Sequence, residues 1–424
     1  MMQIHKYPDR ESWTKLVQRP GAADSEKLRL VKEILEQVKS KGDKALFELT
    51  KKLDKVSLTS LKADQRTIAN AGNKISPELK KAIARAYTNI FRFHNAQLKG
   101  KPEKIETMPG VLCWRKPVAI ENIGIYIPGG SAPLFSTVLM LGIPARIAGC
   151  SNIILCSPPP VHPAILYSAA LCGIKNIFGI GGAQAIGAMA YGTDTVPGVD
   201  KIFGPGNSFV TAAKQLVNQT GTAIDMPAGP SELLVIADGS SNASYVAADL
   251  LSQAEHGPDS QVMLLSDNHT LVNDVLREID SQLEKHPKKK TAREALGKSR
   301  ALVFKNLSDC MDFSNFYAPE HLIICCRNAP ALAGKVVNAG SVFIGNYSPE
   351  SAGDYASGTN HTLPTSGFAK TYSGVSVDSF VKHITFQKIS RTGLLNLADT
   401  IVTMAEAEQL TAHGNAVRIR IKND

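Results

Sequence analysis

The sequence predicts an α/β protein made of two Rossmann-like, doubly wound domains, the second inserted in the first, with small helical segments at both ends. From Asn122 onward, short apolar runs rich in β-branched residues alternate with helical segments and glycine-rich turns. The runs are continuously apolar, which is typical of parallel strands buried on both faces. The same alternation resumes after Met226, so we expect two such sheets.

The composition is that of a folded globular chain. Of 424 residues, 43% are hydrophobic and 20% are charged, which permits a large core and excludes wholesale disorder. The stretch 147–174 contains no Asp, Glu, Lys or Arg, but its prolines and polar residues exclude a single lipid-exposed helix. Residues 1–19 carry charges throughout and do not resemble a secretory signal. We therefore expect a cytoplasmic protein without a membrane span.

The formal net charge of +9 raises the question of nucleic-acid binding. That function requires a basic patch, and the densest basic run, 285–290, has no aromatic residues among its lysines. We therefore expect no nucleic-acid partner. The seven cysteines lie mostly inside apolar runs and form no CxxC pair, which indicates reduced cysteines rather than disulfides or a zinc knuckle.

The first hundred residues are expected to be largely helical. Leu28, Val31, Leu35 and Val38 form one apolar stripe, and Gly42 follows as a stop signal. Further helical, charged sequence continues to about residue 100.

Beyond Asn122 the predicted strands and helices follow one another closely. The predicted strands are 153–156, 176–180, 201–203, 233–236, 262–265, 302–304, 322–325 and 342–344. The predicted helices are 164–171, 208–217, 242–256 and 269–283.

These elements suggest the following division of the chain. Residues 1–21 form an N-terminal arm. Residues 22–125 and 233–378 form the first α/β domain, which is interrupted by a second α/β domain at 126–232. Residues 379–424 form a helical appendage without strands.

Three glycine-rich turns join a strand to a helix, where backbone N–H groups can face an anion. The turn 179–184 resembles a dinucleotide fingerprint, but Gln184 replaces its third glycine. The other two turns are 204–207 and 129–131. Alone, such a turn is better explained as a simple tight turn, whereas three in one region make a phosphate-bearing cofactor an equal alternative.

Two pairs of polar residues are candidates for chemistry. Gln253 and His256 lie three apart near the end of a predicted helix, and Gln253 interrupts its apolar stripe. Glu320 and His321 are adjacent just before an apolar strand and could supply a general acid and base. From spacing alone, ordinary surface groups are the better explanation of either pair.

Two further regions contain residues of the same kinds. The segment 346–364 is rich in glycine and serine, has no secondary-structure pattern and contains Asp354 and His361. Long loops of this kind tend to be functional. Glu408 and His413 lie in the C-terminal appendage, where spacing alone does not indicate chemistry.

As a set, eight stretches resemble one family, the histidinol dehydrogenases. The stretches are GIYIPGGSAPL (124–134), GIGGAQAIGAMAYGT (179–193), DKIFGPGN (200–207), DMPAGPSE (225–232), QAEHGPDS (253–260), YAPEHL (317–322), GDYASGTNHTLPT (353–365) and EQLTAHGNAVRIR (408–420). They occur in the family's order and span nearly the whole chain.

The resemblance implies the residues of the site. The implied ligands of one zinc ion per subunit are Gln253, His256, Asp354 and His413. The implied catalytic pair is Glu320 and His321. The implied substrate contacts are Ser231, His361, Glu408, His321 and the four metal ligands. The implied NAD contacts are Tyr126, Gln184 and Asn207.

The family reaction implied by the resemblance is the oxidation of L-histidinol to L-histidine through L-histidinal. It removes four electrons, reduces two NAD molecules in succession and ends histidine biosynthesis. In the family the positions of Glu408 and His413 come from the partner subunit, which implies a homodimer with shared active sites.

Two other enzymatic functions are weighed against this one. A zinc hydrolase would use Glu320 to activate water and would bind no NAD; the glycine turns argue against it. A zinc- and NAD-dependent dehydrogenase of the same scaffold could act on another small amino alcohol. The presence of Ser231, His361 and Glu408 argues against that alternative.

Overall fold

A computed structural model describes residues 2–20, 25–98, 100, 102–129 and 133–422 of the chain. Its strands are β1 (Gln3–Lys6), β2 (Lys104–Met108), β3 (Val111–Ala119), β4 (Asn122–Tyr126), β5 (Asn152–Ser157), β6 (Asn176–Gly179), β7 (Lys201–Phe203), β8 (Ala223–Ile224), β9 (Glu232–Ala237), β10 (Gln261–Ser266), β11 (Arg300–Val303), β12 (His321–Cys325), β13 (Ser341–Ile344) and β14 (Val381–Ile389).

The helices cover both faces of the sheets and form the C-terminal end. They are α1 (Trp13–Leu16), α2 (Ser25–Lys41), α3 (Asp43–Leu49), α4 (Gln65–Asn70), α5 (Pro77–Asn95), α6 (Phe135–Ala148), α7 (Pro163–Leu171), α8 (Gly182–Tyr191), α9 (Ser208–Asn218), α10 (Ala243–Ala254), α11 (His269–Glu284), α12 (Lys289–Gly297), α13 (Leu307–Tyr317), α14 (Ala329–Ala333), α15 (Glu350–Tyr355), α16 (Arg391–Ala407) and α17 (Thr411–Lys422). Among the residues described, no helix is both long and apolar enough to cross a membrane.

A five-stranded parallel sheet has the order β6-β5-β4-β7-β8. Helices α2, α3, α8 and α9 cover one face, and α5, α6 and α7 cover the other. The chain builds the sheet from β4 outward to β6 and then returns to place β7 on the other side of β4. The carboxyl ends of β4 and β7 are therefore a topological switch point, where open α/β sheets bind their ligands.

A six-stranded parallel sheet has the order β1-β11-β10-β9-β12-β13. Alternate residues of β9 face opposite layers, as the two-residue period of a strand requires. Leu233 and Val235 pack toward α10, α11 and α12, whereas Leu234 and Ile236 pack toward α1, α13 and α14. Both faces are buried, which explains why the predicted strands are continuously apolar.

The α/β fold class is confirmed, and the strands and helices predicted beyond residue 150 are confirmed within two residues at each end. The predicted absence of strands after residue 379 is wrong. Strand β14 pairs antiparallel with β3 from Val381–Ala119 to Ile389–Val111, and β2 pairs with the other side of β3. Most of β14 is solvent-exposed, so its sequence mixes charged and apolar residues and lacks the pattern of a buried strand.

The expected assignment of the N-terminal residues also requires correction. Gln3–Lys6 belongs to the six-stranded sheet rather than to a separate arm, because β1 pairs with β11. The apolar stripe of α2 packs on the five-stranded sheet, not on the six-stranded one. A boundary at residue 126 would divide β4 from its own last residue. Sequence periodicity identifies a helix's apolar face but not the sheet that this face covers.

Candidate active site

The candidate site lies at the amino ends of two neighbouring strands of the six-stranded sheet. Glu232 begins β9, His321 begins β12, and the parallel pairing sets His321 opposite Leu233. Glu320 precedes β12 directly. All three of the polar side chains are buried: Glu232 is 2% exposed, Glu320 is 7% exposed and His321 is 3% exposed.

The backbone of Glu232 orients both members of the predicted catalytic pair. Its N–H donates to Oε2 of Glu320 at 2.8 Å, and its carbonyl oxygen lies 3.1 Å from Nδ1 of His321. Because a carbonyl can only accept, Nδ1 carries the hydrogen, which leaves the lone pair on Nε2. Nε2 is buried and has no hydrogen-bond partner among the described residues, so it can accept a proton from a ligand.

Burial sets the protonation preferences of the pair. Loss of solvent lowers the pKa of His321 to about 3, so its imidazole is neutral at physiological pH. Burial also raises the pKa of Glu320 well above its ordinary value, and the negative charges of Glu232 and Asp354 raise it further. The site therefore contains a neutral imidazole with a free lone pair beside a carboxyl group of enhanced basicity.

Two acidic residues of α15 face the same imidazole. Oε1 of Glu350 lies 3.7 Å from Nδ1 of His321, and Oδ1 of Asp354 lies 3.7 Å from Nε2. Burial is the main reason that the pKa of Asp354 rises to about 7 and that the pKa of Glu350 lies well above its ordinary value. One potential ligand atom from each of these three residues lies within 4.8 Å of the others.

Glu350 is absent from the residues that the sequence predicts. Its position four residues before Asp354 places both carboxylates on one face of α15. The prediction that residues 346–364 lack secondary structure is wrong at this point, and it concealed the spacing. The helix is only six residues long and contains Ser, Gly and Asp, which are weak helix formers.

Gln253 joins this acidic group from α10. It is fully buried, and its amide satisfies both neighbours in one orientation, with the nitrogen facing the carboxylate of Glu350 and the oxygen 3.1 Å from the N–H of Glu232. The polar residue that interrupts the apolar stripe of α10 thus has its partners inside the site.

The two predicted histidines next to this group have different surroundings. His256 lies just beyond α10, is solvent-exposed, and donates its backbone N–H to the carbonyl of Gln253 at 3.2 Å. The surrounding protein nevertheless desolvates it enough to lower its pKa. His361 contacts the carbonyl of Asp354 through Nδ1 at 2.8 Å and the hydroxyl of Thr137 through Nε2 at 3.0 Å. Burial lowers the pKa of His361 to about 4.

Of the remaining predicted residues, Ser231 lies next to the site, whereas Glu408 and His413 lie outside the acidic group of their own chain. Ser231 directly precedes Glu232 and is partly buried. Glu408 and His413 are exposed near the α16–α17 junction. Within the part of the chain that the structure describes, neither side chain forms a hydrogen bond or ion pair, and neither belongs to the group formed by His321, Glu350 and Asp354.

The predicted cofactor residues lie at the carboxyl edge of the five-stranded sheet. The hydroxyl of Tyr126 accepts from the N–H of Gly182 at 3.0 Å, at the start of α8. Gln184 is buried and donates to Oδ2 of Asp54 at 3.4 Å, while its Oε1 has no partner among the described residues. Asn207 caps α9 through the N–H groups of its second and third residues.

Gly204 makes one of these turns possible. Its φ of +123° lies in the region that favours glycine, and an added Cβ would lie 2.1 Å from the carbonyl oxygen of Tyr126. The turn 204–207 therefore packs directly on the end of β4 at the switch point. Of the turn 129–131, Gly129 is described, whereas Gly130 and Ser131 lie outside the described residues.

A short segment connects the carboxyl edge of the five-stranded sheet to the amino edge of the six-stranded sheet, where the acidic group lies. The five-stranded sheet ends at Ile224 in β8, and the six-stranded sheet begins its site edge at Glu232 in β9. The intervening residues, 225–231, can span at most about 24 Å. The Thr137–His361 contact is a second link, because Thr137 is near the start of α6, which follows β4. These two links join the region that follows β4 and β8 to the segments that carry the acidic group.

The donor set suits a divalent metal ion. The buried carboxyl groups of Glu320 and Glu350 and the partly buried one of Asp354 share the space around one imidazole, and each has a raised pKa. A cation would offset their mutual repulsion, and oxygen and nitrogen donors are ligands that zinc accepts. His321, Glu350 and Asp354 are grouped by distance, whereas the set implied by the sequence is Gln253, His256, Asp354 and His413. Asp354 is common to both sets.

Comparisons with known proteins agree with the sequence resemblance. The family model for histidinol dehydrogenase matches residues 17–421. A histidinol dehydrogenase from Bacteroides thetaiotaomicron is 53% identical over 99% of both chains, and one from Escherichia coli K12 is 54% identical over 97% of this chain and 95% of that one.

Solved structures extend the comparison to the fold. A crystal structure of histidinol dehydrogenase from Elizabethkingia anophelis has a TM-score of 0.97 and 54% identity, and the match covers 99% of this chain and 98% of that one. An acetylating aldehyde dehydrogenase from Geobacillus thermoglucosidasius has a TM-score of 0.51 at 14% identity, covering 86% of this chain and 98% of that one. The second likeness concerns the fold alone.

Proposed function

Because the chain belongs to the histidinol dehydrogenase family, it is an oxidoreductase of histidine biosynthesis, and we propose that it oxidises L-histidinol to L-histidine. The proposed route passes through L-histidinal and uses two molecules of NAD in succession. The observation that carries this proposal is the joint anchoring of Glu320 and His321 on the backbone of Glu232. One anchor holds two groups that suit two different proton transfers.

His321 performs the first proton transfer. Its Nε2 is buried and has no hydrogen-bond partner among the described residues, so it is free to accept the proton of the substrate hydroxyl. Bound NAD would supply the hydride acceptor, which the protein's own side chains lack. A positioned acid or base of this kind contributes roughly 10²- to 10⁴-fold to a rate.

Glu320 performs the proton transfer of the second step. Its raised pKa makes the carboxylate a stronger base than an exposed glutamate. It takes a proton from the water that adds to the aldehyde, and the hydride that the resulting hydrate gives up would go to the second NAD. Burial of Glu320 and His321 keeps bulk water away, so that the aldehyde is retained between the two steps.

We propose one zinc ion per subunit, held by Gln253, His256, Asp354 and His413. The ion would orient the substrate by binding the substrate's nitrogen atoms. Glu350 contacts Gln253 and would fix the direction of that ligand, as residues behind metal ligands commonly do. Ser231, His361 and Glu408 would complete the substrate contacts.

NAD is proposed to lie at the switch point between β4 and β7, next to Tyr126, Gln184 and Asn207. The turns there offer backbone N–H groups at the starts of α8 and α9, where a phosphate is favoured. The unpartnered, buried Oε1 of Gln184 is available to a hydrogen-bond donor of the cofactor.

We propose a homodimer in which Glu408 and His413 complete the partner's site. The chain exposes 21287 Å², whereas a compact monomer of 45.5 kDa is expected to expose roughly 16,000 Å². Exposed large apolar side chains of the C-terminal region include Ile384, Phe386, Ile389, Leu395, Met404, Leu410 and Ile419. A second copy would cover this surface and bring the two exposed site residues to a neighbouring acidic group.

The proposed function is tested by supplying histidinol and NAD to the purified protein and counting NADH formed per histidinol consumed. We expect two. A ratio of one would indicate a simple alcohol dehydrogenase that releases the aldehyde. No NADH, with hydrolysis of an amide substrate, would favour the zinc hydrolase. Faster turnover of another small amino alcohol would favour the related dehydrogenase. A cytoplasmic location stays a prediction.

A further inference from the structure

Arg19, near the N-terminus, forms a buried ion pair beside the candidate site. Its Nε donates to Oε1 of Glu232 at 2.6 Å, and its Nη2 donates to Oε2 at 3.1 Å. The side chains of Arg19 and Glu232 are only 19% and 3% exposed. This two-point geometry matches the planar guanidinium to the planar carboxylate.

The same guanidinium holds the chain that leads into β12. Nη2 of Arg19 donates to the carbonyl of Tyr317 at 2.7 Å and to that of Ala318 at 3.4 Å, and the group lies 4.0 Å over the Tyr317 ring. Ala318 has a φ of 55°, a left-handed conformation that is uncommon for a residue with a Cβ. Strained residues of this kind persist where their surroundings hold them, and Glu320 follows two residues later.

Arg19 therefore contacts both chain segments that determine the catalytic geometry. One is Glu232, whose peptide groups contact Glu320 and His321. The other is the turn at Ala318, which sets where β12 begins. A shift of either segment would change the distance between the carboxylate and the imidazole, although Arg19, among the residues that the structure describes, forms no hydrogen bond with the side chain of Glu320 or His321.

We propose that Arg19 is a positioning residue for Glu320 and His321, acting through Glu232 and the Ala318 turn. This inference rests on the proposed function, since it assigns Arg19 to the same reaction. The paired role requires a guanidinium: a lysine keeps the charge but has a single nitrogen, which cannot bridge both carboxylate oxygens and stack on the Tyr317 ring.

The experiment compares the full-length, metal-loaded wild type with Arg19→Lys and with the neutral double variant Arg19→Met/Glu232→Gln, which leaves no unpaired buried charge. Arg300→Lys is the matched control, because Arg300 donates to the backbone of Gln18 and, within the described part of the chain, forms no hydrogen bond or ion pair with Glu320 or His321. For each protein, kcat and KM for histidinol and for added histidinal are measured, together with metal content and melting temperature.

We expect Arg19→Lys to lower kcat for both substrates by about tenfold to a hundredfold. A fall of this size would mean that the misplaced acid and base lose part of their contribution to the rate. KM and metal content should stay within about threefold, and Arg300→Lys should resemble wild type. Because the assays are run below the melting temperature of each variant, a change confined to kcat separates positioning from loss of fold. The double variant should show the same change.

Three results would overturn the inference in distinguishable ways. If wild type reduces NAD with histidinol and Arg19→Lys has the same kcat, positioning by Arg19 is wrong while the proposed function stands. If in both variants kcat and metal content fall and KM changes as well, Arg19 is a purely structural residue. If wild type itself does not reduce NAD with histidinol, the proposed function fails, and the inference fails with it.

Discussion

Single residues in the site owe their chemical character to burial more than to their partners. His321 and Glu320 are adjacent in sequence, yet loss of solvent lowers the pKa of the first and raises the pKa of the second. Both changes favour the neutral form. The peptide of Glu232 then fixes the tautomer of His321 and the direction of Glu320, so one backbone unit coordinates two reactive groups.

Glu320→Gln should separate the two steps of the reaction. The amide keeps the size of the side chain but cannot accept a proton from water. We expect oxidation of supplied histidinal to fall by about 10²-fold or more, and the first hydride transfer to fall far less. Single-turnover formation of NADH from each substrate measures the two effects. Equal losses in both steps would assign water activation to another group, such as His321.

Asp249→Asn should stabilise the metal-free protein at neutral and alkaline pH. Burial raises the pKa of Asp249 from 3.8 to about 7, so the folded state favours the protonated form. The resulting penalty is absent below about pH 4, grows as pH rises toward 7, and is complete above it. A pKa shift of one unit corresponds to about 1.4 kcal/mol. Because Asp249 keeps some solvent contact, we expect only part of the full effect of the shift, a gain of about 1–2 kcal/mol in the free energy of unfolding at pH 8.

The measurement is denaturant unfolding of wild type and Asp249→Asn at several pH values after chelation. The difference between the two free energies of unfolding should vanish near pH 4. A difference that does not depend on pH would show that the carboxyl group of Asp249 is not desolvated in the folded protein.

At the scale of secondary structure, predictability follows burial. The strands of the two parallel sheets are apolar on both faces, so their sequence identifies them. Strands β2, β3 and β14 form an exposed antiparallel sheet and have no such pattern. Helix α15 is too short to show a helical period, and Glu350 was missed with it. The Glu320–His321 pair was visible as an adjacent acid and base, but its anchoring on Glu232 joins residues 89 apart in sequence.

Gly204→Ala should disrupt the turn at the switch point. The new Cβ would lie 2.1 Å from the carbonyl oxygen of Tyr126, which requires the backbone to move. Gly221→Ala is the control, because Gly221 has a similar φ of +114° and no atom of the described residues lies within 4 Å of the added Cβ. We expect Gly204→Ala to lose about 2 kcal/mol more than the control in free energy of unfolding, and to bind NAD more weakly.

Denaturant unfolding and NAD titration of both variants provide the measurements. Both variants place an alanine at a positive φ, so the cost of that conformation cancels in the comparison. The remaining difference in stability is due to the clash with Tyr126. Equal stability and equal NAD binding in the two variants would mean that the turn does not pack on β4 as described.

For the whole molecule, the metal is expected to serve chemistry rather than folding. Two large apolar cores lie on the faces of each parallel sheet, and their burial does not require an ion. Chelation should therefore abolish histidinol oxidation while circular dichroism and the cooperative unfolding transition are retained. His256→Asn should lower the metal content in the same way. Full activity of a protein shown to be metal-free would contradict the zinc proposal.

The surface of the whole chain favours a shared site. The C-terminal region, residues 379–424, exposes apolar side chains, and it carries Glu408 and His413 outside the acidic group of its own chain. Helices α16 and α17 pack chiefly on each other, and β14 joins them to β3. A two-fold dimer would use this region reciprocally, so that each subunit completes the site of the other.

Complementation between two inactive variants tests that arrangement most directly. His413→Ala and Glu320→Ala chains are unfolded and refolded together, and the fraction of mixed dimers is measured independently. In a mixed dimer of the proposed kind, one site collects both substitutions and the other has neither. Random pairing makes about half of the dimers mixed, so roughly a quarter of wild-type activity should return. If mixed dimers form and the mixture stays inactive, His413 serves its own chain and the shared site is wrong.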